Sequence, residues 1–344
     1  MLKIGIIFGG TSREREISFA GGRTVYDNLN KTLFEPVPVF VDSLGNFILL
    51  NWEYIYKGTI RDFYPPVSAL PPSPHSFQVY IESLGKLSGE ELDRIISQVG
   101  QKIEPAQFAQ LFDFAFLTLH GPQGEDGAIQ GLLEWYGIPY SGSGILSSAI
   151  GVSKTTQKDL MRAAGFATPK TARVSREEWL AADYKGDIIY KLIHQIGLPF
   201  VVKAPNQGSS IGVSVVTEND LQKIVAAINR SFFIQEITAA EWKSYSEAQK
   251  IRFITSLTDI REGIGLPVSL ASGQVETRHA LSLHGGEAVL SHPEDLYNTL
   301  EKIVSLENAK AILANVNGEE EVLIEGFLPG KEFSCIVVQD ENGE

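Results

Sequence analysis

The run Asn206-Gln207-Gly208-Ser209-Ser210-Ile211-Gly212 offers successive backbone N–H groups, two hydroxyls and flexible glycines, the makings of a loop that closes over phosphate oxygens. Lys203, just upstream, supplies a compensating charge. The run is not a Walker loop: no G-x-x-x-x-G-K-[ST] occurs in the chain, and the segment leads into a strand instead of a helix. Taken alone it also fits an ordinary β-turn. Lys154 follows Ser153, a suitable N-cap, so it projects from a helix start where the dipole favours an anion; an ordinary solvated lysine is the other reading.

Three further segments carry groups that could do chemistry. Ile324-Glu325-Gly326-Phe327-Leu328-Pro329-Gly330-Lys331-Glu332-Phe333 sets two carboxylates either side of an apolar turn, which suits a purine ring and a ribose or, equally, a plain strand connection with exposed acids. His120-Gly121-Pro122-Gln123-Gly124-Glu125-Asp126-Gly127 gathers polar side chains and glycines as a substrate-shaping turn would, although a lone histidine in such a place is as well explained by structure. In Ser12-Arg13-Glu14-Arg15-Glu16 the acids could bind a substrate ammonium or favour a helix N-terminus, the latter being the default for Glu16.

These segments need elements to hold them. Lys3 to Phe8 is an unbroken apolar run that reads as a doubly buried parallel strand, followed by Gly9-Gly10-Thr11-Ser12 and a helix over Glu16 to Leu29. A strand over Glu35 to Asp42, a Pro-rich surface loop around Pro65 to Pro74, a helix near Gly89 to Val99 and a strand over Phe112 to Leu119 come next. Alternating strands and helices imply a parallel sheet with crossovers, whose ligands gather at the carboxyl ends of its strands. Beyond Ser153 the pattern predicts a helix near Asp187 to Ile196, strands over Phe200 to Lys203 and Gly212 to Val216, a helix over Glu218 to Ser231 and a strand over Phe232 to Ile237. Residues 239–320 are more polar and read mainly as helices and loops, with a helical run at Asp295 to Val304 and with Trp242 and Tyr245 as anchors against the body. Strands at Val322 to Glu325 and Glu332 to Val338 and a hairpin turn at Asp340 to Gly343 complete the chain.

Composition narrows the class. The 344 residues are 43% hydrophobic and 10% aromatic, enough apolar material for about two or three domains. A net charge of −13 repels nucleic acid and anionic membrane surfaces, so an anionic ligand calls for a locally basic pocket. The single cysteine, Cys335, cannot form an intramolecular disulfide, zinc-type spacings are missing, and a reducing cytoplasmic setting fits best. The first residues are too weakly flanked for a secretory signal, and no stretch of about 18 uncharged apolar residues marks a membrane span.

Taken together and in order, Gly9 to Ser18, His120 to Gly131 (HGPQGEDGAIQG), Ile138 to Gly144 (IPYSGSG), Ser153-Lys154, Val202 to Gly212 (VKAPNQGSSIG) and Ile324 to Phe333 resemble the D-alanine–D-alanine ligase family of the ATP-grasp superfamily. The resemblance covers residues 1 to about 235 and 322–338. It implies an α/β fold, with an N-terminal doubly wound parallel-sheet (pre-ATP-grasp) domain followed by an incomplete ATP-grasp domain. It implies that Lys154 and Lys203 hold the phosphates of ATP, that Gly208, Ser209, Ser210 and Gly212 cover them, and that Glu325, Leu328 and Glu332 contact adenine and ribose. Glu14 would bind the ammonium of the first D-alanine with help from Ser209, beside His120. The implied reaction phosphorylates one D-alanine carboxylate and lets a second D-alanine amine attack the acyl phosphate, giving D-alanyl-D-alanine for peptidoglycan. D-Lactate or D-serine as second substrate, and a non-catalytic nucleotide-binding module, are the alternatives.

The expected units are residues 1–150, 151–238, an atypical insertion 239–320, and 321–344 as the start of a further subdomain. The resemblance also implies Mg2+; the sequence does not fix the oligomeric state, although a homodimer through the N-terminal domain would be unsurprising for such an enzyme. No metal ligand is assignable in this sequence; the family's metal-binding segment is expected past Glu344, and the fragment is expected to be inactive without it.

Overall fold

A computed structural model describes residues 1–270, 289–303 and 310–335. β1 (Leu2–Gly9) is the pivot of the first sheet, with its last six residues buried. Its alternation divides the core in two: Ile4, Ile6 and Phe8 face one layer, Ile7 the other. Each such side chain contributes about 1.5–3 kcal/mol on burial. β1 runs parallel to β2 (Phe34–Val41) on one side and to β5 (Phe114–Leu117) on the other. β3 (Phe47–Leu50) and β4 (Gly100–Ile103) extend the edge antiparallel, giving the order β4-β3-β2-β1-β5. The parallel centre is as the apolar runs predict, and the antiparallel edge is added by strands too short to announce themselves. β5 is shorter than the Phe112 to Leu119 run because Phe112 turns into the core and its N–H bonds to Phe108 O.

Helices cover both faces. α1 (Arg15–Asn28) buries Phe19 against Phe8 and Phe63, and α2 (Gly89–Ile96) adds Ile95 and Ile96 to the same layer. On the opposite face α3 (Phe108–Leu111) and α4 (Ala128–Trp135) bring Phe108, Ile129 and Leu133. α5 (Ile145–Val152) and α6 (Lys154–Ala163) then lead away from this sheet.

A second sheet is antiparallel throughout. β13 (Glu321–Gly326) lies between β6 (Thr171–Ser175) and β7 (Phe200–Lys203), and β8 (Ser214–Val216) completes the order β6-β13-β7-β8. α7 (Arg176–Ala181), α8 (Gly186–Ile196) and α9 (Leu221–Phe232) cover it with Trp179, Leu192, Ile228 and Phe232, all buried.

The reading of residues 239–320 as mainly helices and loops is corrected by a third sheet. β9 (Ile234–Thr238) pairs with β12 (Lys310–Asn315), which pairs with β10 (Val268–Leu270), which pairs with β11 (Val289–Leu290). α10 (Ala239–Ser244), α11 (Glu247–Thr258) and α12 (Pro293–Ile303) lie with it. β10 and β11, of three and two residues, carry too little alternation to be seen in sequence; β12, six residues long, has its pairing set by partners distant in the chain. Trp242 is fully buried in this unit's own core against Tyr297 and Phe253, and that core continues into the body through Phe77, Ala204 and Ile211. The expected strand Glu332 to Val338 is corrected as far as it is described: Lys331–Cys335 carry no strand, and Phe333 is 86% exposed with no sheet edge to pair its alternation. Residues 336–338 and the expected turn at 340–343 lie outside the described residues. Among the described residues no helix is long and apolar enough to cross a membrane.

Candidate functional site

β1 ends where Gly9 and Gly10 take φ of 94° and 101°. A side chain at Gly9 would put a Cβ 2.4 Å from Val41 O, so the chain turns tightly against β2 only with glycine there. The turn that follows is braced from within. Ser12 Oγ accepts from Glu14 N–H, Ser18 Oγ accepts from Gly9 N–H, and the Arg15 guanidinium donates to Ser12 O, Thr11 O and, at 2.7 Å, Glu82 Oε1. Glu16 is not open to a ligand ammonium, because its carboxylate accepts from Tyr80 Oη and Ile60 N–H. Glu14 is left as the buried acid that faces outward from the turn.

What it faces is the glycine-serine loop. Ser209 Oγ donates to Glu14 Oε1 at 2.5 Å, joining residues 195 positions apart. Ser209 and Ser210 adopt φ of 46° and 59°, and Gly212 of 69°. Left-handed serines cost about 1–3 kcal/mol each and persist where surrounding structure imposes them; such turns are also where consecutive N–H groups form anion-binding concavities. The loop is pinned at its far end by Ile211, which is buried, and by Ser231 Oγ donating to Gly212 O.

The base of the loop rests on Lys154. Ser153 caps α6 by accepting from Thr156 N–H, as the sequence predicts, and Lys154 Nζ donates to Gln207 O at 2.5 Å. Burial pushes the Lys154 ammonium below its ordinary value, with Glu319 opposing. Glu319 itself is buried and accepts from Asn206 Nδ2 and Gln207 Nε2, both at 2.9 Å; burial raises its carboxyl against those two bonds. Nothing in the acidic run Glu319-Glu320-Glu321 marks one member as buried, so this residue escapes sequence reasoning.

Lys203 at the end of β7 pairs with Glu325 on β13, a diagonal cross-strand pair since Lys203 lies opposite Leu323. Lys158 Nζ approaches the second oxygen, Glu325 Oε2, at 3.2 Å. Burial alone would raise Glu325, but the two lysines outweigh it and hold the carboxyl below its usual range. Glu325 Oε2 is buried, and the Lys158 ammonium is its only partner among the described residues. Lys158 sits four residues after Lys154 on one helix face, a spacing that sequence could have flagged. Leu328, 69% exposed, and Glu332, also exposed, stand on the segment beyond β13, so of the three adenine and ribose candidates only Glu325 is joined to the lysines. Lys154, Lys158 and Lys203 face Glu14, Glu319 and Glu325, so the site is balanced in charge instead of basic.

His120 lines a cavity of about 760 Å³ beside Gly208, bounded by α1, α5 and Lys154. Its Nδ1 lies 3.5 Å from Glu125 Oε1, and this partner raises the imidazole above its ordinary 6.5 while Glu125 is held low by the same contact. The pair's contribution to stability is full while both are charged; it fades as pH rises through His120's raised value and as pH falls through Glu125's lowered one. In Glu125→Gln, histidine NMR titration is expected to return His120 towards 6.5; an unchanged midpoint would remove Glu125 as the cause. Among the described residues no three His, Cys, Asp or Glu side chains converge to hold a metal ion.

Residues 3–143 match the family model described as D-ala D-ala ligase N-terminus, and residues 160–241 match D-ala D-ala ligase C-terminus. The D-alanine–D-alanine ligase of Geobacillus thermodenitrificans is 30% identical over 239 residues, 68% of this chain and 60% of that protein. That of Caldicellulosiruptor bescii is 33% identical over 231 residues, 67% of this chain and 57% of the relative. That of Bacillus anthracis is 26% identical over 339 residues, 95% and 84% of the two chains. The matched part of the chain spans 60%, 54% and 51% of the length of the first three curated relatives.

Proposed function

The chain belongs to the D-alanine–D-alanine ligase family, and on that premise we propose that it serves ATP-dependent joining of two D-alanine molecules to D-alanyl-D-alanine. The process served is then peptidoglycan precursor synthesis in the cytoplasm. The observation that carries the reading is the meeting of Glu14 with Ser209, which brings an ammonium-binding acid from the first sheet against a loop suited to phosphate.

ATP fits the groups present. Its contribution when bound is a phosphoryl group that activates a carboxylate. Lys203 and Lys158 would neutralise phosphate oxygens, Lys154 would hold the loop Gly208 to Gly212 over them, and Glu325, once its lysines turn to phosphate, would accept from an adenine amine or ribose hydroxyl. Leu328 and Glu332 would complete that end by moving in from the surface. Glu14 would take the first D-alanine's ammonium, with Ser209 and His120 bordering it, and closure of the loop would exclude water. Mg2+ belongs to the proposed reaction, but the described residues offer it no ligand set, and no step is assigned to it. The units 1–150, 151–238 and 239–320 would act as substrate platform, nucleotide cover and added support.

Calorimetric titration tests the reading. Saturable binding of magnesium-ATP is expected, and binding of D-alanine in preference to L-alanine when a non-hydrolysable ATP analogue is present; absence of both would overturn it.

A further inference from the structure

Glu14 lies between two arginines that are tied in opposite directions. Arg15 is held within the first unit by Ser12, Thr11 and Glu82. Arg13 reaches out of it: Nη1 donates to Ile260 O at 2.8 Å and Gly263 O at 3.3 Å, and Nη2 to Ile264 O at 2.6 Å. Its guanidinium also lies over the Phe233 ring, 3.5 Å from the centroid. These carbonyls follow the end of α11, where the helix leaves partial negative charge.

The acceptor turn is itself built to stay in place. Asp259 Oδ1 accepts from Arg261 N–H and Glu262 N–H, and Leu257 O accepts from both Ile264 N–H and Gly265 N–H. A Cβ at Gly263 would lie 2.2 Å from Ser256 O, so the turn closes this tightly only around glycine. A planar fork that bridges three carbonyls and stacks on a ring fixes direction as well as distance, which a flexible ammonium cannot do.

We infer that Arg13 is a positioning residue for Glu14, and that the turn Asp259 to Ile264, beyond the segment 160–241 that matches the C-terminal family model, is the element that sets it. Glu14 then meets the ammonium of the first amino acid already oriented, its backbone fixed on both sides and its carboxylate held by Ser209. The inference rests on the proposed role of Glu14, and its test separates the two.

Arg13→Ala and Arg13→Lys would be compared with the unaltered chain in three measurements: D-alanine affinity beside a non-hydrolysable ATP analogue, magnesium-ATP affinity, and amide hydrogen exchange. Arg13→Ala is expected to weaken D-alanine binding about five- to tenfold, the scale of a misplaced binding group, with magnesium-ATP affinity unchanged. Exchange should quicken at Glu14 to Ser18 and at Ile264 and Gly265 but not in β1, and Arg13→Lys should recover only part of each effect. A merely structural loss would lower both affinities and quicken β1 as well. Unchanged D-alanine affinity with unchanged exchange in Arg13→Ala overturns the inference. If the unaltered chain fails to bind D-alanine, the functional reading falls, and exchange alone decides whether Arg13 sets the loop.

Discussion

Replacing Lys203 by alanine is expected to weaken magnesium-ATP binding about ten- to a hundredfold, the loss of one charged hydrogen-bonding partner worth about 1.5–3 kcal/mol. The same change strips Glu325 of its nearer cation, leaving the buried carboxylate to Lys158 alone. Breaking a buried pair outright costs about 3–5 kcal/mol; with Lys158 still in place and Lys203 partly exposed, about 1–3 kcal/mol of stability should go. The two effects separate in a cycle with Glu325→Gln. The double variant should regain part of the lost urea stability, since the buried carboxylate is gone and only the partly exposed Lys158 is left without its partner, while nucleotide affinity stays low. If it recovers affinity too, Lys203 acts only by partnering Glu325, and its assignment to phosphate is wrong.

Gly208→Ala probes the other half of the site with a single methyl group. Gly208 does not occupy the left-handed region, so alanine brings no backbone strain. Its Cβ would instead lie 2.6 Å from Glu14 Oε2 and 3.1 Å from Oε1. A carboxylate at the tip of a side chain can move away cheaply, but only by giving up Ser209. Fold stability is therefore expected to fall by about 1–3 kcal/mol, as the buried Glu14 carboxylate loses the Ser209 hydroxyl. D-Alanine affinity should fall about ten- to a hundredfold, the scale of one hydrogen bond to a charged group. Chemical denaturation beside D-alanine titration checks both. A variant that binds D-alanine normally would show that Glu14 and Gly208 need not be in register for recognition.

The parts of this site that sequence made legible are those written locally. The buried run from Lys3 to Phe8, broken by paired glycines, announces a central strand and the turn after it. Ser153 before Lys154 announces a capped helix start, and β7 and β13 fall where apolar runs place them. What stayed hidden depends on chain segments far apart in sequence. Arg13 looks like one more surface charge until the turn after α11 is folded beside it, some 250 residues away. Glu319 sits in a run of three acids, and only the folded loop singles it out. The expectation of a basic pocket fails for the same reason: a cross-strand register brings Glu325 to Lys203, and the fold sets the same carboxylate beside Lys158 on its helix.

The position of β13 also bears on how the chain folds as it is made. The first sheet has all five strands once Leu117 has been synthesised, although its own β1–β5 pairing also closes a long loop. The second cannot be assembled in order: β6 and β7 have no direct partner in each other, and the strand between them arrives about 120 residues after β7. Until then the facing edges of β6 and β7 stand unpaired, the condition under which nascent strands pair with wrong neighbours. Closing so long a loop adds only a logarithmic entropy cost to stability, but it delays the productive pairing. Refolding should accordingly show the first sheet protected early and the Lys203–Glu325 pair last, so that the nucleotide-facing half of the site is the final region to acquire its shape.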